Sequence, residues 1–136
     1  MRQLVLNVLK KARTKIVYLF LALFLCSFVH NLLAINSVFL IKNEGISFGQ
    51  KIPFVLIFSL LFCFFSLILF IREQSYGLMM ITVGGFINLI DRFKFGFVRD
   101  YWNIGGSGIY NNINDWIISF GVILFLTEIV WIKKLR

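Results

Sequence analysis

The chain has 136 residues, of which 60% are hydrophobic and 15% are charged, and its formal net charge is +8. Ordinary soluble domains are about 45–50% apolar and about 25% charged, and a soluble domain of this size cannot bury so much apolar surface. This composition excludes a soluble enzyme, a disordered tail and a disulfide-rich secreted module. It predicts an all-α membrane protein that forms one integral membrane domain over residues 1–136.

Four apolar segments are predicted to be membrane-spanning helices. They cover residues 16–35, 53–71, 76–92 and 113–132. A span needs about 20 residues at a rise of about 1.5 Å per residue, so the first two segments are long enough by themselves. The predominantly apolar stretches in the last two, residues 76–90 and 116–132, are shorter. These helices are therefore predicted to include flanking polar residues at the membrane boundary, where polar groups are costly and usually functional.

The basic residues predict how the four helices are oriented. An even number of spans places both termini on one side, and that side then carries nine Lys and Arg residues against five on the other. The positive-inside rule therefore predicts cytoplasmic termini, with residues 36–52 and 91–115 facing outward. We interpret the positive charge as orientation and contact with anionic lipid headgroups. No nucleic-acid partner is expected, because no aromatic-basic motif is present.

Polar residues are scarce in this chain, and they concentrate on the predicted outer side. Four of the six acidic residues lie there, namely Glu44, Asp91, Asp100 and Asp115. Two aspartates brought close at a low-dielectric boundary cannot both ionise cheaply, so one holds a proton and the other is charged. Such a pair can hold a water, take its proton and donate a proton to a leaving amine. This pattern indicates acid–base peptide hydrolysis without a metal ion or a covalent intermediate.

Each of these aspartates also has an ordinary structural interpretation. Asp115 directly precedes an apolar helix, where Asp is a favoured N-cap. Asp91 and Arg92 could form an interfacial ion pair with each other, and Asp100 in a polar loop could be a solvated charge. The residues by themselves leave these alternatives open.

Several other polar residues are predicted to have structural roles. His30 and Asn31 in the first helix are expected to hydrogen-bond a neighbouring helix. Asn43 followed by Gly45 indicates a turn. Glu128, near the inner end of the fourth helix, is predicted to pair with a nearby base. The candidate bases are Lys133, Lys134 and Arg72.

Four blocks of the sequence resemble the lipoprotein signal peptidase (signal peptidase II) family, the membrane aspartyl peptidases of bacteria. The blocks are NEGISF at residues 43–48, GGFINLIDR at 84–92, GFVRDY at 96–101 and NINDWII at 112–118. They are similar to the family patterns N-x-G-x-x-F, a glycine-rich N-x-x-D-R, G-x-V-x-D-aromatic and N-x-A-D-x-x-I, in that order. The shared order and the predicted topology make the resemblance more specific than any single block.

The resemblance implies a site as well as a fold. It implies that Asp100 and Asp115 form the catalytic dyad. The implied supporting polar shell consists of Asn43, Gly45, Asn88, Asp91, Arg92 and Asn112. The implied fold has four transmembrane helices with both termini in the cytoplasm. It also has a small extracytoplasmic β-cradle from residues 37–49 and a short outer helix or lid from part of residues 100–111.

The resemblance also implies an activity. Members of this family remove signal peptides from prolipoproteins whose lipobox cysteine carries diacylglycerol, and they cut just before that cysteine. The implied location is the extracytoplasmic side of the bacterial cytoplasmic membrane. Contact with membrane phospholipid and binding of globomycin, the family's cyclic peptide inhibitor, are expected. A monomer is expected, with no metal ion and no cofactor.

The chain departs from the family pattern at several positions. The family carries D-Q-x-x-K late in the first helix, whereas residues 27–31 read SFVHN, without Asp or Lys. Asn114 stands in place of the Ala of the fourth block, and Ile87 stands where a Gly is expected before Asn88. These departures leave open a second hypothesis, a non-catalytic relative that binds lipidated peptides or a membrane partner. A third is a structural membrane protein whose outer carboxylates bind cations or headgroups.

Overall fold

A computed structural model describes residues 2–45 and 54–134, with side chains described for residues 13–45 and 54–131. The described chain contains the helices α1 (Arg2–Asn36), α2 (Val55–Glu73), α3 (Tyr76–Phe95) and α4 (Ile113–Lys134). They lie at the four predicted positions. The first helix begins well before its predicted span, because the basic segment that precedes the span is itself helical and is rich in good helix formers.

Three helices in the described part of the chain are long and apolar enough to cross a membrane, judged by length and composition. These candidate spans are Arg13–Asn36, Val55–Glu73 and Ile113–Trp131. Their large side chains face outward, and Phe20 and Phe24 are each more than half exposed. Apolar surface on this scale requires lipid to cover it, so the protein is a multi-pass membrane protein.

Helix α3 is not one of these three candidate spans, and its surroundings explain why. It packs against α1, α2 and α4, and residues 81–85 are all buried. A helix covered by other helices can carry polar side chains that a lipid-facing helix cannot. Helix α3 therefore brings polar groups into the interior of the bundle.

Glycines bring α3 and α4 into close contact. A Cβ on Gly84 would lie 2.7 Å from the carbonyl oxygen of Asn114, and a Cβ on Gly77 would lie 2.4 Å from the backbone nitrogen of Phe125. Small residues at such crossings let helix backbones approach each other. The contact at Gly84 places the first turn of α4 against the middle of α3, where the polar residues meet.

A short antiparallel sheet joins the segment after α1 to the segment after α3. Strand β1 (Ile41–Asn43) pairs with β2 (Val98–Asp100), so that Asn43 lies opposite Val98 and Ile41 lies opposite Asp100. The predicted β-cradle is therefore present, but one of its strands comes from the segment after α3. Residues 46–49 of its predicted range lie outside the described residues.

Of the short outer helix or lid predicted from part of residues 100–111, the helix is wrong, because this segment forms a hairpin. Strand β3 (Trp102–Asn103) pairs antiparallel with β4 (Tyr110–Asn111). The turn between them contains Gly105, Gly106 and Gly108 with φ values of 56°, 75° and 78°. Glycine adopts this left-handed conformation without strain, whereas it is a poor helix former, so the segment favours a turn over a helix.

At the end of the bundle away from the strands, Glu128 contacts the start of α3, and Arg72 is not its partner. Its carboxylate accepts hydrogen bonds from the hydroxyl of Ser75 and from the backbone N–H of Tyr76 (3.2 Å). Ser75 is the N-cap of α3, where a negative charge is favourable. Arg72 instead pairs with Glu73 (3.2 Å). The side chains of the other two predicted bases lie outside the described residues.

Candidate active site

Asp100 ends strand β2 and is only 2% exposed. The alternation of the strand turns Val98 and Asp100 inward and leaves Arg99 between them half-buried. One carboxylate oxygen of Asp100 accepts a hydrogen bond from the side-chain amide of Asn112 (2.7 Å), and the other accepts from the amide of Asn43 (2.9 Å). The interpretation of Asp100 as a solvated loop charge is therefore wrong.

Asn43 forms the predicted turn and also contacts Asp100. Its side-chain oxygen accepts a hydrogen bond from the backbone N–H of Gly45 (3.0 Å). The carbonyl of Gly45 in turn accepts from Nη2 of Arg92 on α3 (2.6 Å). These contacts tie the first outer segment to the end of α3.

Asp115 is the third residue of α4, and its carboxylate points back toward the start of the helix. One oxygen accepts a hydrogen bond from the amide of Asn88 (2.9 Å), and the other accepts from the backbone N–H of Asn112 (3.2 Å). The side-chain oxygen of Asn112 accepts from the N–H groups of Asn114 (2.8 Å) and Asp115 (3.2 Å). These reciprocal bonds form a capping box, so the N-cap is Asn112, and the prediction that Asp115 is the N-cap is wrong.

Asn112 joins the two aspartates, because its side chain donates to Asp100 while its backbone N–H donates to Asp115. Burial, assisted by the negative charge of Asp115, raises the pKa of Asp100 to about 6, although the hydrogen bonds from Asn112 and Asn43 lower it. Asp100 therefore holds its proton at mildly acidic pH. The pair can then carry one proton and one negative charge at once.

Asp91 and Arg92 do not form the ion pair predicted between them. Asp91 instead accepts hydrogen bonds from Nη2 (2.7 Å) and Nε (3.0 Å) of Arg99, and it lies 3.0 Å from Nε2 of His30. Successive residues on a helix point about 100° apart, so Arg92 faces the carbonyl of Gly45. Asp91 thus belongs to a second polar cluster beside the two aspartates.

This second cluster connects α1 to the rest of the site. Nδ1 of His30 lies 3.2 Å from the hydroxyl of Tyr101 and 3.1 Å from the amide nitrogen of Asn114 on α4. The side-chain oxygen of Asn31 accepts from Nη2 of Arg99 (2.8 Å). The predicted hydrogen bond from His30 to another helix is confirmed, whereas the partner of Asn31 lies on strand β2.

Two cavities open on the two aspartates. The larger, of about 330 Å³, lies among α2, α3 and α4. Its lining consists of Phe58, Ser59, Phe62, Gly85, Asn88, Arg92, Asp115 and Ile118. The smaller, of about 160 Å³, reaches Asp100 and Asn43 between strand β1 and the hairpin. A third cavity, of about 450 Å³, lies beside Glu128 at the far end of the bundle and does not reach the aspartates.

The site as described combines two adjacent carboxylates, amide donors and an apolar wall. Within the described residues, no group of three His, Cys, Asp or Glu side chains is arranged to hold a metal ion. Two carboxylates that accept hydrogen bonds from amide groups suit proton transfer with water. The family model of signal peptidase (SPase) II matches residues 4–131.

The chain belongs to the signal peptidase II family. The members of this family are aspartic peptidases, which accords with a site built around two aspartates. The lipoprotein signal peptidase of Bartonella quintana is 31% identical over 121 residues, which cover 77% of this chain and 72% of that protein. The lipoprotein signal peptidase of Desulforapulum autotrophicum is 36% identical over 66 residues, which cover 46% of this chain and 40% of that protein.

A solved structure shares the fold of this signal peptidase II family member. It is a bacterial membrane enzyme whose structure was determined by the in meso method at 2.3 Å resolution. The two chains superpose with a TM-score of 0.67 at 22% identity, over 86% of this chain and 87% of the other. The likeness concerns the fold alone.

The predicted site set omits Arg99, Tyr101 and Asn114, and it leaves His30 with a structural role alone. Tyr101 and Asn114 both lie inside blocks that match the signal peptidase II family. His30 is an ionisable side chain in an apolar span, and such residues are usually functional. Arg99 lies in the same block as Tyr101, so these two signals identify all four residues.

Proposed function

We propose that this protein is an intramembrane aspartyl endopeptidase that removes signal peptides from diacylglyceryl-modified prolipoproteins and cuts before the lipidated cysteine. The observation that carries the proposal is the contact of Asn112 with both Asp100 and Asp115. Two carboxylates held beside one amide in a member of an aspartic peptidase family suit a shared catalytic proton.

In the proposed reaction the two carboxylates act on one water. The ionised carboxylate accepts a proton from the water, and the water oxygen attacks the scissile carbonyl carbon. At the same time the protonated carboxyl donates its proton to the carbonyl oxygen. When the C–N bond breaks, the first carboxyl gives its new proton to the leaving amine. The second recovers a proton from a hydroxyl of the tetrahedral intermediate, so the pair ends the cycle with one proton. The raised pKa of Asp100, about 6, supports this sharing.

We propose that the lipid-modified segment of the substrate binds in the cavity beside Asp115. Phe58, Phe62 and Ile118 form an apolar wall that suits an acyl chain. Arg92 lines this cavity, and its buried Nε has no hydrogen-bond partner among the residues that the structure describes. An oxygen of the bound substrate or of a neighbouring phospholipid would satisfy this donor. A globomycin-type inhibitor is proposed to occupy the same cavity.

We further propose that all four helices cross the bacterial cytoplasmic membrane, with both termini in the cytoplasm and the aspartates at the extracytoplasmic side. The excess of Lys and Arg at the termini supports this orientation. The protein is proposed to act as a monomer, and the substrate is proposed to approach laterally from the lipid.

Replacement of each aspartate by Asn tests the proposed function. Asp100→Asn and Asp115→Asn are expected to lower kcat for cleavage of a lipidated prolipoprotein in proteoliposomes by about 10²–10⁴-fold, because acid–base catalysis is lost. Glu73→Gln is the matched control, since it changes an exposed carboxylate, and it is expected to keep full activity. Full cleavage by either aspartate variant would contradict the proposal. Binding of the lipopeptide by the folded wild-type protein without turnover would favour the non-catalytic relative.

A further inference from the structure

We propose that His30 and Asn114 are positioning residues for the proposed reaction, because together they fix the orientation of Asn88 and thereby that of the Asp115 carboxylate. The inference rests on the proposed function and deepens it. Neither side chain donates to the two aspartates itself, and both act through an intermediate amide.

Four contacts connect Asp91 to Asp115 across three helices. Nε2 of His30 lies 3.0 Å from the carboxylate of Asp91. The amide nitrogen of Asn114 donates both to Nδ1 of His30 (3.1 Å) and to the side-chain oxygen of Asn88 (3.0 Å). The amide nitrogen of Asn88 then donates to the carboxylate of Asp115 (2.9 Å). We call this series the amide relay.

The donor and the acceptor of each amide hydrogen bond in the amide relay can be assigned. Asn114 has two amide hydrogens, and its two acceptors use both of them. Because the side-chain oxygen of Asn88 is engaged in this way, its amide nitrogen faces Asp115. A half-turn of the Asn88 amide would break two hydrogen bonds and turn an oxygen toward the carboxylate. The acceptor role of Nδ1 of His30 also places the ring proton on Nε2, which faces Asp91.

At the Asp91 end of the amide relay, an ion pair with Arg99 holds the carboxylate in place. Two nitrogens of Arg99 hold the carboxylate of Asp91. The hydroxyl of Tyr101 accepts a hydrogen bond from the backbone N–H of Ile113 (3.1 Å) and lies 3.2 Å from Nδ1 of His30. His30 and Asn114 are fully buried, so no water can replace a lost partner. The orientation of the imidazole ring is therefore fixed from both sides.

The two positioning residues are also places where this chain departs from the family pattern, and they contact each other. Asn114 takes the place of the Ala of the fourth block, and the segment that contains His30 lacks the Asp and Lys of the first helix. An Ala at position 114 would make neither amide hydrogen bond. In this chain the contact links α1 to Asp115 through the amides of Asn114 and Asn88.

The test measures kcat and KM separately for cleavage of a lipidated prolipoprotein by the whole chain in proteoliposomes. Asn114→Ala and His30→Ala are each expected to lower kcat by about 10–100-fold, the loss typical of a removed supporting hydrogen bond. KM is expected to change by less than about threefold, because neither residue lines the proposed substrate cavity. The double variant is expected to lose no more than the worse single variant, since both break the same link. His30→Gln, whose amide can donate to Asp91 and accept from Asn114, is expected to recover most of the lost kcat.

Thr82→Ala is the matched control, because Thr82 is fully buried on α3 and its hydroxyl donates within its own helix to Leu78 (2.8 Å). Wild-type kcat in the Asn114 and His30 variants would overturn the proposal, as would losses that only follow the fraction of unfolded protein. If His30→Ala does not fold, Asn114→Ala carries the test, since it installs the residue of the family block. Full activity of Asp115→Asn would instead contradict the proposed function, so the two failures are distinguishable.

Discussion

The side chain of Asn112 makes two kinds of hydrogen bond, and two substitutions separate their effects. Its amide nitrogen donates to Asp100, and its side-chain oxygen caps α4 through the N–H groups of Asn114 and Asp115. Asn112→Ala removes both kinds. Asn112→Ser keeps an oxygen that can cap the helix, but it has no amide to reach Asp100. The pair of variants therefore tests whether Asn112 tunes the catalytic proton or only starts the helix.

The expected changes in unfolding free energy and in the pKa of Asp100 follow from the energies of these hydrogen bonds. Loss of an N-cap costs about 0.5–2 kcal/mol, and loss of a hydrogen bond to an ionised carboxylate costs about 1.5–3 kcal/mol. We expect Asn112→Ala to lower the free energy of unfolding by about 2–5 kcal/mol at neutral pH, and Asn112→Ser by about 1.5–3 kcal/mol. The bond from Asn112 lowers the pKa of Asp100, so its removal raises that pKa further above about 6. At about 1.36 kcal/mol per pH unit, the shift is about one to two units.

The assay is the pH dependence of kcat/KM for prolipoprotein cleavage, together with chemical unfolding in detergent micelles. Both variants are expected to move the pH of maximal kcat/KM upward by a similar amount, whereas only Asn112→Ala loses the cap. Asn36→Ala is the control, because the exposed Asn36 amide donates a hydrogen bond within its own helix, to the carbonyl of Leu32. If Asn112→Ser keeps the wild-type pH profile, the reasoning that Asn112 tunes Asp100 is refuted.

Three other predictions test the electrostatics, the packing and the topology. The folded state raises the pKa of Asp100 from 3.8 to about 6, so it binds the proton more tightly than the unfolded chain does. Stability is therefore expected to fall by about 3 kcal/mol as the pH rises from about 4 to about 6, and unfolding of Asp100→Asn should lack this dependence. Gly84→Ala places a Cβ 2.7 Å from the carbonyl of Asn114. It is expected to cost about 1–3 kcal/mol in thermal unfolding and to lower kcat, because the first turn of α4 must shift. Ser107→Cys in the hairpin turn is expected to react with an impermeant maleimide outside intact spheroplasts, whereas Glu73→Cys is expected to react only after permeabilisation.

Each of these three predictions has a contradicting result. An unchanged pH slope in Asp100→Asn would show that another group controls the dependence. Ser119→Ala changes an exposed position of α4 and serves as the control. If Gly84→Ala is as stable as this control, the result contradicts the close contact between α3 and α4. The opposite labelling pattern at Ser107 and Glu73 would reverse the proposed topology.

Local properties of the chain were sufficient to predict the helices and the candidate aspartates. A helix in lipid is defined by a continuous apolar stretch, which depends on neighbouring residues alone. Asp100 and Asp115 lie within short blocks that resemble one family, so their selection required no knowledge of the fold. The turn at Asn43 and Gly45 is equally local, since its hydrogen bond spans two residues.

The partners of the polar side chains required the tertiary structure. Asp91 bonds to Arg99 and His30 rather than to its neighbour Arg92, because the helix turns adjacent residues to different sides. Asn112 proved to be the N-cap that joins both aspartates, although an Asp is an equally good cap by residue type.

The sequence by itself therefore determined that the chain is a membrane protein with few, clustered polar groups, because lipid solvation depends on composition along the chain. Only the tertiary structure decided how those groups pair, that α3 is covered by the other helices, and that the expected outer helix or lid is a hairpin. These features depend on which segments meet in space. Contacts between residues far apart in the chain, such as His30 with Asn114, leave no periodic pattern in the sequence.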